Sequence, residues 1–307
     1  MDSKTRFLLP IALIVATVAV STSSIFIRFA QAGGAPSLVI AALRVTFATL
    51  MIAPVALTRH MDEIKRFTRI EFLLGVASGI FLAAHFATWI TSLEYTSVAS
   101  SVVFVGTGPL WVALLSPMLL KEHISRTTIV GLGLAVIGGI IIGLADACTW
   151  NNGLSCPALN DILKGRAMWG NFLALAGAWA VTGYLIIGRK LRAETSLVPY
   201  IFLVYGMCAI ALILFLFVTG NTPFGYDLKT YGWIFLLAAI PQLIGHSTYN
   251  WALKYLTAAM VAVTVLGEPI GSATLAYFLL NETPSLMTLV GGAFILIGIF
   301  LSSKGSS

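Results

Sequence analysis

Hydrophobic residues in this chain do not recur on one face of each helix. They fill whole stretches of the length needed to cross a bilayer, about 20 residues each. The pattern predicts ten spans: 7–29, 37–57, 72–93, 97–119, 128–146, 167–188, 197–219, 231–253, 258–280 and 286–303. The links between them are short, except 58–71 and 147–166. Polar residues inside the spans are few and therefore conspicuous. In "VTVLGEPIGSATLAYFLL", from Val263 to Leu280, Glu268 stands near the middle with Pro269 behind it.

Composition agrees with the pattern. Of 307 residues, 58% are hydrophobic and 10% charged, and the mean hydropathy is +0.95. A soluble domain carries about 25% charged residues, so lipid rather than water is the expected solvent. A disordered chain is polar, which excludes that class. The isoelectric point near 9.3 reflects the lysine and arginine excess that orients membrane proteins, not nucleic-acid binding. The first span resembles a signal peptide in position. Its apolar run continues past Ser21–Ser24 to Phe29 without a small-residue cleavage site, so it is read as a span. With ten spans both termini share one side. That side holds thirteen lysines and arginines; the other holds Arg28, Lys164, Arg166 and Lys229. Both termini are therefore expected in the cytoplasm of a multi-pass cell-membrane protein.

The chain also repeats itself. The stretch "LEYTSVASSVVFVGTGPLWVALLSPMLLKEHISRTTIVGLGLAVIG" from Leu93 aligns without a gap to the stretch beginning at Leu253, offset by 160, with 17 of 46 positions identical. Pro109 matches Pro269, Glu122 matches Glu282, and Gly131 and Gly138 match Gly291 and Gly298. Shared hydrophobicity does not produce that many identities. The expected organisation is a five-helix repeat at 1–146, an extracytoplasmic loop at 147–166 and a second repeat at 167–307. Five is odd, so the second copy would enter from the opposite face. Inverted repeats are a common architecture of alternating-access transporters.

These residues carry a resemblance. "IFIRFAQAGGAPSLVIAALRVTFATL", the L-x-Y turn before each fourth helix, the "GTGP" and "GEP" elements, and "KEHIS" and "NETPS" resemble the EamA-type family of the drug/metabolite transporter superfamily, over 7–303. The resemblance implies an all-α membrane fold of ten helices as two inverted five-helix repeats. It further implies a central cavity from helices 1–4 and 6–9, with helices 5 and 10 peripheral. Family members include exporters of amino acids, aromatic metabolites and toxic compounds. The first helix departs from the family pattern: Val20 and Ser24 stand where many members carry tryptophan and phenylalanine.

Glu268 lies about 15 Å into its span by helix rise, near the midplane, where a charge facing lipid costs about 2.5 kcal/mol or more. It is expected to face a cavity or a partner, and Arg44 is the obvious partner, so a structural ion pair competes with substrate or proton binding. Pro269 beside Gly267, and Pro109 beside Gly106 and Gly108, free backbone groups that are tolerated at depth only against protein or cavity water. They are read as helix breaks. His85, Trp89 and Ser92 share one helix face, as do Gln242, His246, Tyr249 and Asn250. The candidate substrate-binding set is Glu268, Arg44, His85, Trp89, Tyr249, Asn250, His246 and Trp179, the aromatics competing with roles in packing or the interfacial belt. Asn171 and Thr182 are weaker candidates. Gly139-x-x-x-Gly143 reads as helix packing. Cys148 and Cys156 share the outer loop and are candidates for a disulfide in an oxidising compartment.

The sequence lacks a Walker motif, an H-E-x-x-H motif and any intramembrane aspartate pair, which argues against an ATP-driven pump and a membrane-embedded enzyme. No cofactor, metal or catalytic residue is called for. The leading expectation is a secondary transporter exporting a small organic metabolite: an amino acid, or an aromatic or cationic metabolite or drug. The alternatives are an importer of a polar metabolite and, behind it, an enzyme or scaffold. The expected partners are that solute and the bilayer, without nucleic acid, in a monomer or homodimer.

Overall fold

A computed structural model describes residues 3–120, 126–147, 149–150, 154–155, 165–256, 258, 261, 264–265 and 267–304. The described elements are α1 (Ser3–Ser21), α2 (Ser23–Ala32), α3 (Ser37–Arg59), α4 (Met61–Lys65), α5 (Arg69–Ser92), α6 (Val98–Val105), α7 (Gly108–Leu120), α8 (Arg126–Ala147), α9 (Arg166–Arg192), α10 (Leu197–Thr219), α11 (Leu228–Leu237), a π-helical segment (Ala238–His246), α12 (Ser247–Ala252), α13 (Gly267–Leu280) and α14 (Leu286–Lys304). Two short antiparallel strands, β1 (Thr149–Trp150) and β2 (Leu154–Ser155), pair Thr149 with Ser155 and Trp150 with Leu154. Cys148 and Cys156 lie outside the described residues.

Among the described residues, six stretches are long and apolar enough to cross a membrane: Phe7–Ala32, Ser37–Arg59, Arg69–Ser92, Arg166–Arg192, Leu197–Thr219 and Leu228–Ala252. Shorter apolar helices cover Val98–Val112, Ile129–Ile142 and Leu286–Leu301. Their ends follow from local chemistry. Thr68 and Glu71 form a reciprocal capping box that starts α5, and the Asp227 carboxylate accepts from Thr230 N to start α11. Gly220, at φ 69°, closes α10 in the left-handed region that glycine adopts without penalty. In place of one uniform first span, α1 and α2 meet at Thr22, whose Oγ1 donates to the Ala19 carbonyl and competes with the helix ladder. Span 8 carries the π-helical segment around Pro241, which cannot donate to the α-helical ladder.

The two halves interlock rather than sit side by side. α5 packs on α9, while α1 and α2 pack on the π segment and α11; α6 and α7 pack on α9, while α13 packs on α1 and α2. Each of these contacts has its counterpart with the halves exchanged. α8 and α14 form the tightest pair. Gly138 lies against the Gly291 carbonyl, and Gly298 lies against the Gly131 carbonyl, so the two helices run antiparallel. No side chain fits at these approaches: a β-carbon on Gly291 would come 2.7 Å from the Gly138 carbonyl oxygen. Gly139 packs against the Phe104 ring of α6, so α8 makes a second close helix contact beside the seam at Gly131 and Gly138.

On the link between α3 and α5, Glu63 accepts from Ser196 N at 2.7 Å and Ser196 Oγ at 2.6 Å, anchoring the start of α10. Burial pushes the Glu63 carboxyl up, but the two Ser196 bonds and His60, 3.8 Å away, outweigh it and hold it below the usual carboxylate range.

Candidate transport site

The breaks in the predicted fourth and ninth spans meet at the centre of the bundle. α6 ends at Val105, α7 begins at Gly108, and α13 begins at Gly267. A β-carbon on Gly106 would come 3.3 Å from Pro269 Cγ, so the two proline-containing elements are in direct apposition. The N–H of Glu268 donates to the Val265 carbonyl at 2.9 Å, tightening the turn that Pro269 follows.

Beside this junction lies a cavity enclosing about 680 Å³ of atom-free space, its mouth included. Its wall takes Val20 from α1, His85 and Trp89 from α5, Val105 to Pro109 without Thr107 from the first break, and Val181, Tyr184 and Leu185 from α9. His246, Tyr249, Val261, Val265 and Glu268 complete it. Both halves contribute. The wall is mostly apolar and aromatic, with one carboxylate.

Of the residues singled out by sequence, Glu268, His85, Trp89, His246, Tyr249, Gly106, Gly108 and Pro109 line this cavity. His85 Nδ1 is 2.9 Å from the Gly177 carbonyl, which can only accept, so the ring donates through Nδ1 and presents Nε2 as an acceptor when neutral. The His85 ring stacks on Trp89 at 5.7 Å between centroids. Trp89 Nε1 is buried without an acceptor. The Tyr249 hydroxyl is 3.0 Å from Thr17 Oγ1, which also donates to the Thr264 carbonyl. Thr17 thus joins α1, α12 and the predicted ninth span beside Glu268.

Three of the candidates sit elsewhere. Arg44 is wholly buried behind the wall: its Nε donates to Gln242 Oε1 at 2.9 Å and its guanidinium lies 4.1 Å from the Phe86 ring centre. Its two terminal nitrogens have no protein acceptor. Arg44 and Glu268 are close enough to interact electrostatically, yet no ion pair within 4.0 Å joins them. Asn250 is also behind the wall, bonded to the Tyr184 hydroxyl, while its carbonyl accepts from Arg192. Trp179 is 43% exposed on the outer surface, edge-on to Trp111 at 5.4 Å. Among the described residues no three His, Cys, Asp or Glu side chains converge as a metal site would require.

The EamA-like transporter family matches the chain twice, at 8–144 and 168–304. An uncharacterized transporter of Archaeoglobus fulgidus is 26% identical over 305 residues, covering 95% of this chain and 94% of its own. An uncharacterized transporter of Clostridium kluyveri is 26% identical over 214 residues, 69% of this chain and 65% of its own. A solved crystal structure superposes with a TM-score of 0.65 at 17% identity, covering 95% of each chain, which establishes likeness of fold. Two family matches placed on the two halves of an apolar, multi-helical chain leave one conclusion: this is a multi-pass membrane protein of the EamA-like transporter family.

Proposed function

We propose that the protein is a secondary transporter that moves a small organic solute across the cell membrane by alternating access, and that export is its direction. In this reading the chain crosses the bilayer ten times with both termini cytoplasmic, and the second repeat is inverted. The exchanged contacts between halves and the antiparallel run of α8 against α14 support the inversion. The basic residues gathered on one side support the orientation.

One observation carries the reading: Glu268 stands in the wall of a cavity built by both halves, at the point where two broken helices touch. A carboxylate at mid-depth must be solvated, paired or protonated. Among the described residues Glu268 has no ion-pair partner within 4.0 Å, so a solute ammonium group or a proton can take that place. The aromatic faces of Trp89, Tyr184 and Tyr249 and the unpaired Trp89 N–H suit an amino acid or an aromatic or cationic metabolite. Arg44, held near Glu268 but not bonded to it, is placed to take the carboxylate in another state of the cycle.

The test is flux in proteoliposomes without ATP, over a panel of amino acids, their amines and aromatic cations. Glu268→Gln keeps shape and most hydrogen bonding. It is expected to reach the membrane folded, with flux lost or its pH dependence flattened between about pH 5 and pH 8. Normal flux across that window sinks the assignment.

A further inference from the structure

One end of the bundle is tied by a cluster that the cavity does not use. Arg28 Nη2, near the end of α2, lies 3.1 Å from Glu282 Oε1 and donates to the Thr96 carbonyl at 3.0 Å. The second oxygen, Glu282 Oε2, accepts the backbone N–H of Val98 at 2.9 Å, at the start of α6. Asn281, at φ 54°, is the sole non-glycine residue with positive φ among the described residues. It turns the chain back at the end of α13, a conformation asparagine tolerates, and so aims Glu282 at α6.

The three segments joined here continue into the cavity wall: α2 follows α1 with Val20, α6 leads to Val105 and Gly106, and α13 carries Glu268. The cluster thus ties together, at one end of the bundle, three segments that supply the cavity wall. The strength suits something that must open. Both side chains are about one quarter exposed, 26% and 27%, where an ion pair alone contributes little. The charge-assisted bond to Val98 N and the start of a helix add enough to hold the carboxylate in place without making it permanent. Glu122, the repeat match of Glu282, lies outside the described residues.

We propose that Arg28 and Glu282 form a latch that holds this end of the cavity shut and must release for solute to pass. The latch rests on the carrier reading above, but its test needs no solute. In right-side-out vesicles, the full chain carries Cys148→Ser and Cys156→Ser, with Val265→Cys in the cavity wall as reporter and Cys208 left buried. A membrane-impermeant maleimide is applied from the face that bears Arg28. Glu282→Gln and Arg28→Gln are each expected to raise the labelling rate several-fold, and the double variant by less than the two effects combined, because the ion pair they share is lost only once. Arg28→Lys, which keeps the charge, is expected to label near the parent rate. Parent-like labelling in the glutamine variants, or additive effects in the double, overturns the latch. If Glu282→Gln does not reach the membrane, Arg28→Gln against Arg28→Lys decides alone. Absence of flux in the parent with the expected labelling in the variants overturns only the solute assignment; flux in the parent with unchanged labelling in the variants overturns only the latch.

Discussion

The breaks at Gly106–Pro109 and Gly267–Pro269 occupy matching places in the two repeats, and they differ at one chemical point. Pro109 matches Pro269, but Gly108 stands where the second copy has Glu268. Each break leans on the other half's first helix. Gly108 lies 3.4 Å from Val181 by its hypothetical β-carbon and its carbonyl accepts from Thr182 on α9; Gly267 packs on Thr17 of α1. Duplication therefore supplies two equivalent hinges, while the charge is supplied once. A single carboxylate can be satisfied by one ammonium group or one proton. Two facing one another would repel and force one to stay protonated.

The comparison can be broken most severely by making the halves alike. Gly108→Glu places a second carboxylate at mid-depth, at a cost of about 2.5 kcal/mol or more, beside Val181 and the Ala178 carbonyl. We expect little monodisperse protein after purification, whereas Glu268→Gln purifies normally. The next effect is at the seam. Gly138→Leu forces a side chain against the Gly291 backbone and Ile295, and overpacking of this kind costs about 1–3 kcal/mol. Its melting temperature should fall clearly below that of Gly133→Leu, where nothing lies within 4 Å.

The smallest effect is a pH dependence. Glu63 is held below its ordinary pKa by Ser196, so its contribution is present above the ordinary carboxylate range and is lost as pH falls through the lowered value. Melting curves of the purified protein at decreasing pH should therefore converge with those of Glu63→Gln at the acid end and separate above it. The gap should be modest, because the Glu63 side chain is 35% exposed and solvent screens its interactions.

These contrasts also mark what the sequence made legible. The expected spans 37–57, 72–93, 167–188 and 197–219 lie within a few residues of Ser37–Arg59, Arg69–Ser92, Arg166–Arg192 and Leu197–Thr219, because a long apolar run is itself the signal of a span. The break at Thr22 was not legible: threonine in a span ordinarily bonds back to its own helix, as Thr46 and Thr49 do here. The π segment escaped because Pro241 marks a disturbance without specifying its form. Glu268 and the histidines stood out as polar groups in apolar runs. Arg44 and Asn250 face the interior but lie behind the cavity wall, and Trp179 is exposed outside it. In lipid both the outward and inward faces are apolar, so hydrophobicity does not tell which way a side chain points. Thr17 carried no signal beyond its type; only the fold brings it to Tyr249 and Thr264.

The seam between α8 and α14 has one more consequence. Gly131 meets Gly298 and Gly138 meets Gly291, and since Gly131 matches Gly291 and Gly138 matches Gly298 in the repeat, exchanging the halves turns one contact into the other. Such a surface is isologous, as the interfaces of two-fold homodimers are. A half carrying only the first patch would satisfy it by pairing its α8 with the α8 of a second, antiparallel copy. The covalent link at 147–166 thus joins two pieces whose contact geometry would have been complete without it.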